Sequence, residues 1–405
     1  VIRKWADVLA AAIMTKIAVL LLGLLQLQFS SSLDRQSRVD FGLNFFKTIS
    51  TYQPNENIIV SPIAVQTCLA MTYVGSENQT AAEMQRVLSL ERFGSKVDAA
   101  VEFGDFIQNA VLARQSKLEM ANRIYIDQRL NIVPEYYELI SKYFRSTAVL
   151  VDFARNVQAA QKINAWVESA THGKIKGLID PSALTADTAI VLTNAIYFKA
   201  EWLYPFDPSA TVPRDFNLNS AQKVKVPMMY RTDVDVKYAE VPGLNLVAAE
   251  LPYKDTALRM LILLPNQLDG GVARLEQTFS GSALQQVQRL LRETTLDVVL
   301  PKFKIEFDLS LVEPLKTMGM NLLFSNADLP NMVTGAKGPL YVSEVKHKAF
   351  ISVDEKGSEA SGAAYSQILE KSGRFFQPNL SIDRPFVFII LDDDAIYFTG
   401  HVLKL

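Results

Sequence analysis

Apolar positions along the chain change period several times, and each change predicts an element. Val39, Leu43, Phe46 and Ile49 recur at helical spacing, which predicts an amphipathic helix over Arg38–Ile49. NENIIVSPIAVQTCLAMTYVGS then reads as a short strand followed by an apolar helix that ends at Gly75. Ser61-Pro62 marks its start, because the hydroxyl can cap the helix and the proline is preorganised for the first turn. Helical periodicity resumes over Thr80–Leu90 and Val97–Leu112. ANRIYIDQ (121–128) reads as a strand, Pro134–Tyr143 as a helix and Val149–Phe153 as a short strand. A helix over Ala159–Thr171 carries Ile163, Trp166 and Val167 on one face, and Gly173 can close it in a left-handed cap.

AIVLTNAIYFKAEW (189–202) has the pattern of an interior strand, with Ile190, Leu192, Ile196 and Phe198 in one phase. Asn194 falls in that apolar phase. A buried amide needs partners or costs about 1–3 kcal/mol, so it reads as a switch, a network member or a register pin. Residues 224–300 are mostly strand (KVPMMYR, VDVKYAEV, LNLVAAELPY, ALRMLILLP), closing with one helical segment over Leu275–Leu291. PKFKIEF (301–307) alternates as a strand, Glu313–Met318 is helical, and LYVSEVKHKAFISVDEKG (340–357) reads as one long strand. RPFVFIILDDDAIYFTGHVLKL reads as a terminal hairpin, with Asp392, Asp393 and Asp394 in a solvated turn. Long strands mixed with helices, without βαβ rhythm or repeat, predict an α+β fold.

Asp354–Pro378, between that long strand and the hairpin, combines features that seldom share a loop. From Ser358 it alternates with a period of two. One face is Ser358, Ala360, Gly362, Ala364, Ser366 and Ile368, nearly all small enough to slide between strands. The other face, from Glu359, Ser361 and Ala363 onward, can meet water. The residue types are weak strand formers, so the segment can live as a loop yet has the side chains of a buried strand. Lys371 and Arg374 make it cleavable by a trypsin-like protease. A plain Ala/Ser/Gly linker is the competing reading.

Composition narrows the classes. With 405 residues, a net charge of −2 and 49% hydrophobic residues, the chain can bury a large core and has no basis for nonspecific nucleic-acid binding. Cys68 is the only cysteine, so no internal disulfide forms, and its apolar helical setting predicts a buried, inert thiol. With only His172, His347 and His401 beside it, no transition-metal site and no cofactor is expected. Residues 1–32 read as an upstream extension and a secretory signal: Lys16, an apolar run Ile17–Leu27, then Gln28, Phe29 and three serines. A rival reading joins Val8–Phe29 into one membrane span, but Lys16 lies inside it. Secretion without a membrane anchor is expected, with residues 33–405 as a single domain. Asn78-Gln79-Thr80 and Asn379-Leu380-Ser381 are glycosylation sequons. Arg86, Arg92 and Lys96 are too scattered for a polyanion cofactor site.

No residue set assembles into an enzyme: G-x-S-x-G, a Walker loop, H-E-x-x-H, a dinucleotide fingerprint and C-x-x-C are all missing. The chain does closely resemble the serpin family of serine protease inhibitors. The resemblance runs over about Phe41–Leu403 and is carried by NIIVSP (57–62), ANRIY (121–125), INAWVESATHGKIKGLI (163–179), LTNAIYFKAEW (192–202), PKFKIEF (301–307), LYVSEVKHKAFISVDEKGSEASG (340–362) and RPFVF (384–388). It implies a fold of three β-sheets and about nine helices with an exposed reactive loop, about 354–378. A protease attacks that loop as a substrate, and the cleaved loop then inserts into the central sheet and traps the acyl-enzyme. The resemblance thus implies a monomeric suicide-substrate inhibitor in covalent complex with a serine protease, not an enzyme. A noninhibitory carrier or storage serpin is the alternative.

Residue by residue, the resemblance makes Gly357 the hinge glycine, Ser358 the first side chain to enter the sheet and Glu359 its surface neighbour. Ala360, Ser361, Gly362, Ala363 and Ala364 complete a hinge of small residues, where noninhibitory relatives often have proline or charge. Ser61, Asn194 and His347 match a polar cluster under the sheet, thinner here because Ala64 replaces a second serine. Trp202 matches a tryptophan where insertion begins. Counting forward from Gly357 puts the reactive bond at Lys371–Ser372, and counting back from Pro385 puts it at Arg374–Phe375. The forward count fits the mechanics, since 358–371 as a strand spans about 46 Å and three more residues add slack of about 10 Å. Either bond predicts a trypsin-like target.

Overall fold

Every residue of the helix Pro62–Gly75 is buried. It therefore lies inside the protein, and the other elements are arranged around it. A computed structural model describes residues 35–108, 117–358 and 379–405. Residues 1–32, the hinge from Glu359 to Ala364 and both candidate bonds, Lys371–Ser372 and Arg374–Phe375, lie outside the described residues, so those readings are not addressed by it.

Among the described residues the strands form three sheets, of nine, six and two strands, accompanied by nine α-helices. The six-stranded sheet carries the candidate site. Its order is Phe303–Ser310, Val342–Val353, Gly357–Ser358, Ile190–Glu201, Lys117–Asp127 and Ala148–Val151. The nine-stranded sheet contains the terminal hairpin, Phe386–Leu391 with Ile396–Val402, which the two apolar runs predicted. Phe198 of the central sheet packs on Phe398 of the hairpin at 5.8 Å between ring centroids, and Phe303 packs on Phe386 and Phe388 at 5.9 Å each. No helix among the described residues is long and apolar enough to cross a membrane.

Local signals hold at most element ends. Ser61 is extended and its hydroxyl accepts from Ala64 N–H, as the cap reading requires. The helix Asn156–Ala170 runs into left-handed residues at His172 and Gly173. Four readings are corrected. The helical segment over Leu275–Leu291 is two helices, Gly271–Thr278 and Gly281–Leu290, because Ser280 is extended and starts a new helix by capping Ala283 N–H. KVPMMYR and VDVKYAEV belong to one strand, Lys223–Val241, bent at Asp233 where φ is 56°. The long strand over 340–357 ends at Val353, since the Asp354 carboxylate accepts from the Lys356 and Gly357 amides and turns the chain back. Asp392 is not solvated: it is 1% exposed and accepts from Asp394 N–H, Ala395 N–H and the Tyr397 hydroxyl.

Candidate functional site

The site is a seam in the central sheet. Val342–Val353 pairs in parallel with Ile190–Glu201 from Val342/Ile190 up to Phe350/Tyr197. Above that level the two strands part. Gly357–Ser358 enters the gap antiparallel to both, with Ser358 opposite Ala200 on one side and Val353 on the other. Gly357 and Ser358, the first residues of the expected hinge, are therefore seated in the sheet.

A Cβ at Gly357 would sit 2.0 Å from the Ala200 carbonyl oxygen and 2.7 Å from Glu201 Cα. Both obstacles are backbone, so only glycine fits here while the chain stays in the gap. Ser358 is wholly buried, and its hydroxyl lies 2.7 Å from the Tyr253 hydroxyl. Tyr253 stacks on Trp202 with ring centroids 4.6 Å apart and planes 8° from parallel. Burial raises the Tyr253 phenol well above its usual range, a shift partly offset by Ser358, so the phenol stays protonated and available to donate. Trp202 also grips the turn before the hinge: its indole N–H donates to Asp354 O at 3.0 Å, and its amide donates to Lys356 O at 2.8 Å.

The outer corner of that turn is held by Glu355, whose carboxylate accepts from Lys302 Nζ and Thr211 Oγ1, both at 2.9 Å. Burial pushes its pKa up, but the Lys302 and Thr211 hydrogen bonds outweigh burial and leave it below the usual range. The carboxylate is thus a fixed anion at the mouth of the seam.

Lower down, where the strands are still paired, the buried face carries a polar row. His347 and Asn194 are register partners, as are Asn194 and Asn122. Burial lowers the pKa of His347 to about 3, so the ring is neutral. Ser61 N–H donates to His347 Nε2 at 3.3 Å, which puts the ring proton on Nδ1, facing Asn194 Oδ1. Asn194 Nδ2 donates to Asn122 Oδ1, and Asn122 Nδ2 donates to Ala64 O at 3.3 Å. The bonds run in one direction from the start of the buried helix, across three strands, and back to the same helix.

The sequence-predicted residues Ser61, Asn194 and His347 are thus brought together, while Trp202 belongs to a second group with Gly357 and Ser358. Two members were missed. Asn122 was legible: in ANRIYID it shares the phase of buried Ile124 and Ile126, as Asn194 does in its own strand. It takes up the role that Ala64 lacks, because the Ala64 main chain supplies the acceptor. Tyr253 carried no local signal. Cys68 is buried as expected, and burial pushes its thiol up to about 12.

Asn78 and Asn379 are both at the surface. Asn78 opens the helix Asn78–Val87 and donates to Asp328 Oδ2 at 2.6 Å. Asn379 opens the short strand Asn379–Ser381, which runs parallel to Arg292–Pro301.

Comparison with known proteins places the chain in a family. The family model for serpin (serine protease inhibitor) matches residues 36–405. Serine protease inhibitor 42Dd of Drosophila melanogaster is 35% identical over 361 residues, 89% of this chain and 94% of that protein. The crystal structure of Serpin48 from Tenebrio molitor superposes with a TM-score of 0.84 at 30% identity, covering 92% of this chain and 98% of that one. A thyroxine-binding globulin in complex with thyroxine superposes with a TM-score of 0.83 at 28% identity, covering 91% and 98%. With the family model matched over most of its length and the fold shared with solved members, this chain belongs to the serpin family.

Proposed function

We propose that this protein is a secreted suicide-substrate inhibitor of a trypsin-like serine protease. One observation carries the reading: Gly357–Ser358 already occupies the gap between Val353 and Ala200–Glu201, at the head of a seam that continues downward between two parallel strands. A strand entering between parallel neighbours finds unpaired donors and acceptors on both sides once they separate. Extending the register of Ser358 brings Ala360, Gly362 and Ala364 onto the buried face, with Ala364 arriving level with His347 and Asn194. Small side chains suit that face, since large ones would have to displace the packed core.

In this reading Lys371 is the bait and Lys371–Ser372 the reactive bond, with Arg374–Phe375 second. The protease serine attacks the Lys371 carbonyl and forms an acyl-enzyme, and the amine of Ser372 leaves. The freed strand 358–371 inserts and carries the acylated protease with it over about 46 Å, before water completes hydrolysis. Gly357 and Ser358 start the entry, Trp202 and Tyr253 receive it, and the His347–Asn194 link of the polar row is the contact that the arriving strand exchanges for its own. The surface positions of Asn78 and Asn379 support glycan attachment at both.

The test is incubation with trypsin, followed by denaturing electrophoresis and mass analysis. A complex stable in SDS together with a released peptide starting at Ser372 is expected; cleavage without complex would reduce the chain to an ordinary substrate. A carrier role is the second reading, favoured by the shared fold with thyroxine-binding globulin, and it predicts that same cleavage without complex.

A further inference from the structure

We propose that the groove between the edge strand Ala148–Val151 and the helix Asn156–Ala170 is a binding site for a linear dicarboxylate, held at its two ends by Arg155 and Lys162. The site stands apart from the reactive loop and from strand insertion. Ala148–Val151 pairs in parallel with Lys117–Asp127 and is the last strand on that side of the six-stranded sheet. The groove beside it has a volume of about 380 Å³, within the range of about 300–1,000 Å³ common for small-molecule sites.

The groove has an apolar floor and charges set apart from each other. Val151 and Ala159 are buried beneath it, and Leu150, 42% exposed, adds apolar surface that a ligand would cover. Arg155 immediately precedes the helix and Lys162 lies within it. Seven residues of helix rise separate them, about 10 Å along the axis.

Each cation is anchored on the strand side and keeps donors to spare. Lys162 Nζ donates to Leu150 O at 3.1 Å, which uses one of its three N–H groups. Arg155 Nε meets Asp152 Oδ2 at 3.3 Å, which leaves the two terminal NH2 groups of the guanidinium. Gln128 and Gln158 complete the lining without adding charge. Two cations against one carboxylate leave the groove net positive, and that carboxylate is already paired.

These features together select the ligand. One anionic group at each cation, joined by methylenes over Leu150, Val151 and Ala159, matches the ends and the floor at once. A linear dicarboxylate of about eight carbons suits the separation of about 10 Å set by the helix rise. A compact anion reaches only one end, and a monocarboxylate leaves one cation unmet. A peptide strand added to the sheet edge would need Leu150 O, which Lys162 already occupies.

Titration calorimetry of the full chain with suberate, at constant ionic strength so that screening does not vary, tests the site. Saturable one-to-one binding is expected, with succinate and hexanoate each at least about tenfold weaker because each forfeits one charged end. Arg155→Gln and Lys162→Gln are each expected to weaken suberate about tenfold. Both residues are exposed, so neither substitution removes core packing. Leu150→Ser is expected to weaken suberate and leave succinate unchanged, and Lys225→Gln, on the nine-stranded sheet, to change nothing. The proposal is overturned by the absence of saturable suberate binding at millimolar concentration, or by unchanged affinity in either Arg155→Gln or Lys162→Gln. Equal affinity for sulfate or hexanoate, or equal weakening by Lys225→Gln, would reduce the effect to general counterion binding and overturn it as well.

Discussion

The hydroxyl of Ser358 meets the hydroxyl of Tyr253 at 2.7 Å inside the sheet, where both residues are almost fully buried. The Ser358 side chain is thus held by a residue 105 positions away, just past the end of the strand Leu246–Pro252 and bridged to Trp202. Tyr253→Phe removes one partner of a buried neutral pair, a loss of about 1 kcal/mol, or about fivefold in the seated population. Amide exchange at Gly357 and Ser358 should accelerate by about that factor; unchanged exchange would mean the hydroxyl pair does not hold the hinge.

Ser358→Arg puts a long cation where the wild-type side chain is wholly buried beside Tyr253 and the Trp202 ring. A charge cannot be desolvated there without a partner, so the hinge is expelled and entry is blocked. On incubation with trypsin the variant is expected to be cleaved at an undiminished rate with no SDS-stable complex. Full retention of complex formation would refute strand insertion as the mechanism.

Asn122→Ala leaves the Asn194 side-chain amide without its acceptor and removes one donor from the Ala64 carbonyl, which keeps its bond within the helix Pro62–Gly75. The buried orphan costs about 1–3 kcal/mol, so the uncleaved protein should denature at distinctly lower temperature. An unchanged melting temperature would argue that the Asn122 side chain does not hold the row.

His347 gives the uncleaved protein a signature in pH. Its folded-state pKa is lowered to about 3 from 6.5 by burial, so between those values the unfolded chain binds a proton that the folded one refuses. The ring costs nothing above pH 6.5 and destabilises progressively below it, by about 1.4 kcal/mol per pH unit. His347→Gln cannot titrate. Its stability should therefore fall less steeply than that of wild type between pH 6 and 4, and parallel curves would show that the ring is not held neutral.

Much of the site was legible locally because its residues break the patterns they sit in. Asn194 interrupts an apolar phase, Ser61-Pro62 opens a helix, and Ser358 begins a run of small residues in alternation. Asn122 was legible by the same rule and was passed over. The turn at Asp354 was hidden because Val353 and Gly357 both suit a strand, and only a side chain accepting two amides reverses the chain. The Asp392 turn was misread because three consecutive aspartates look alike in sequence, although one of them is buried.

By itself the sequence determined the elements, their faces and the candidate loop, since periodicity, caps and residue volume act over a few neighbouring positions. Only the tertiary structure decided which partners those faces meet. His347 and Asn194 are 153 residues apart, Tyr253 reaches Ser358 from just past the end of the strand Leu246–Pro252, and Glu355 is held by Lys302 and Thr211 from distant elements. Such pairings follow from the register between distant strands, which no local pattern encodes.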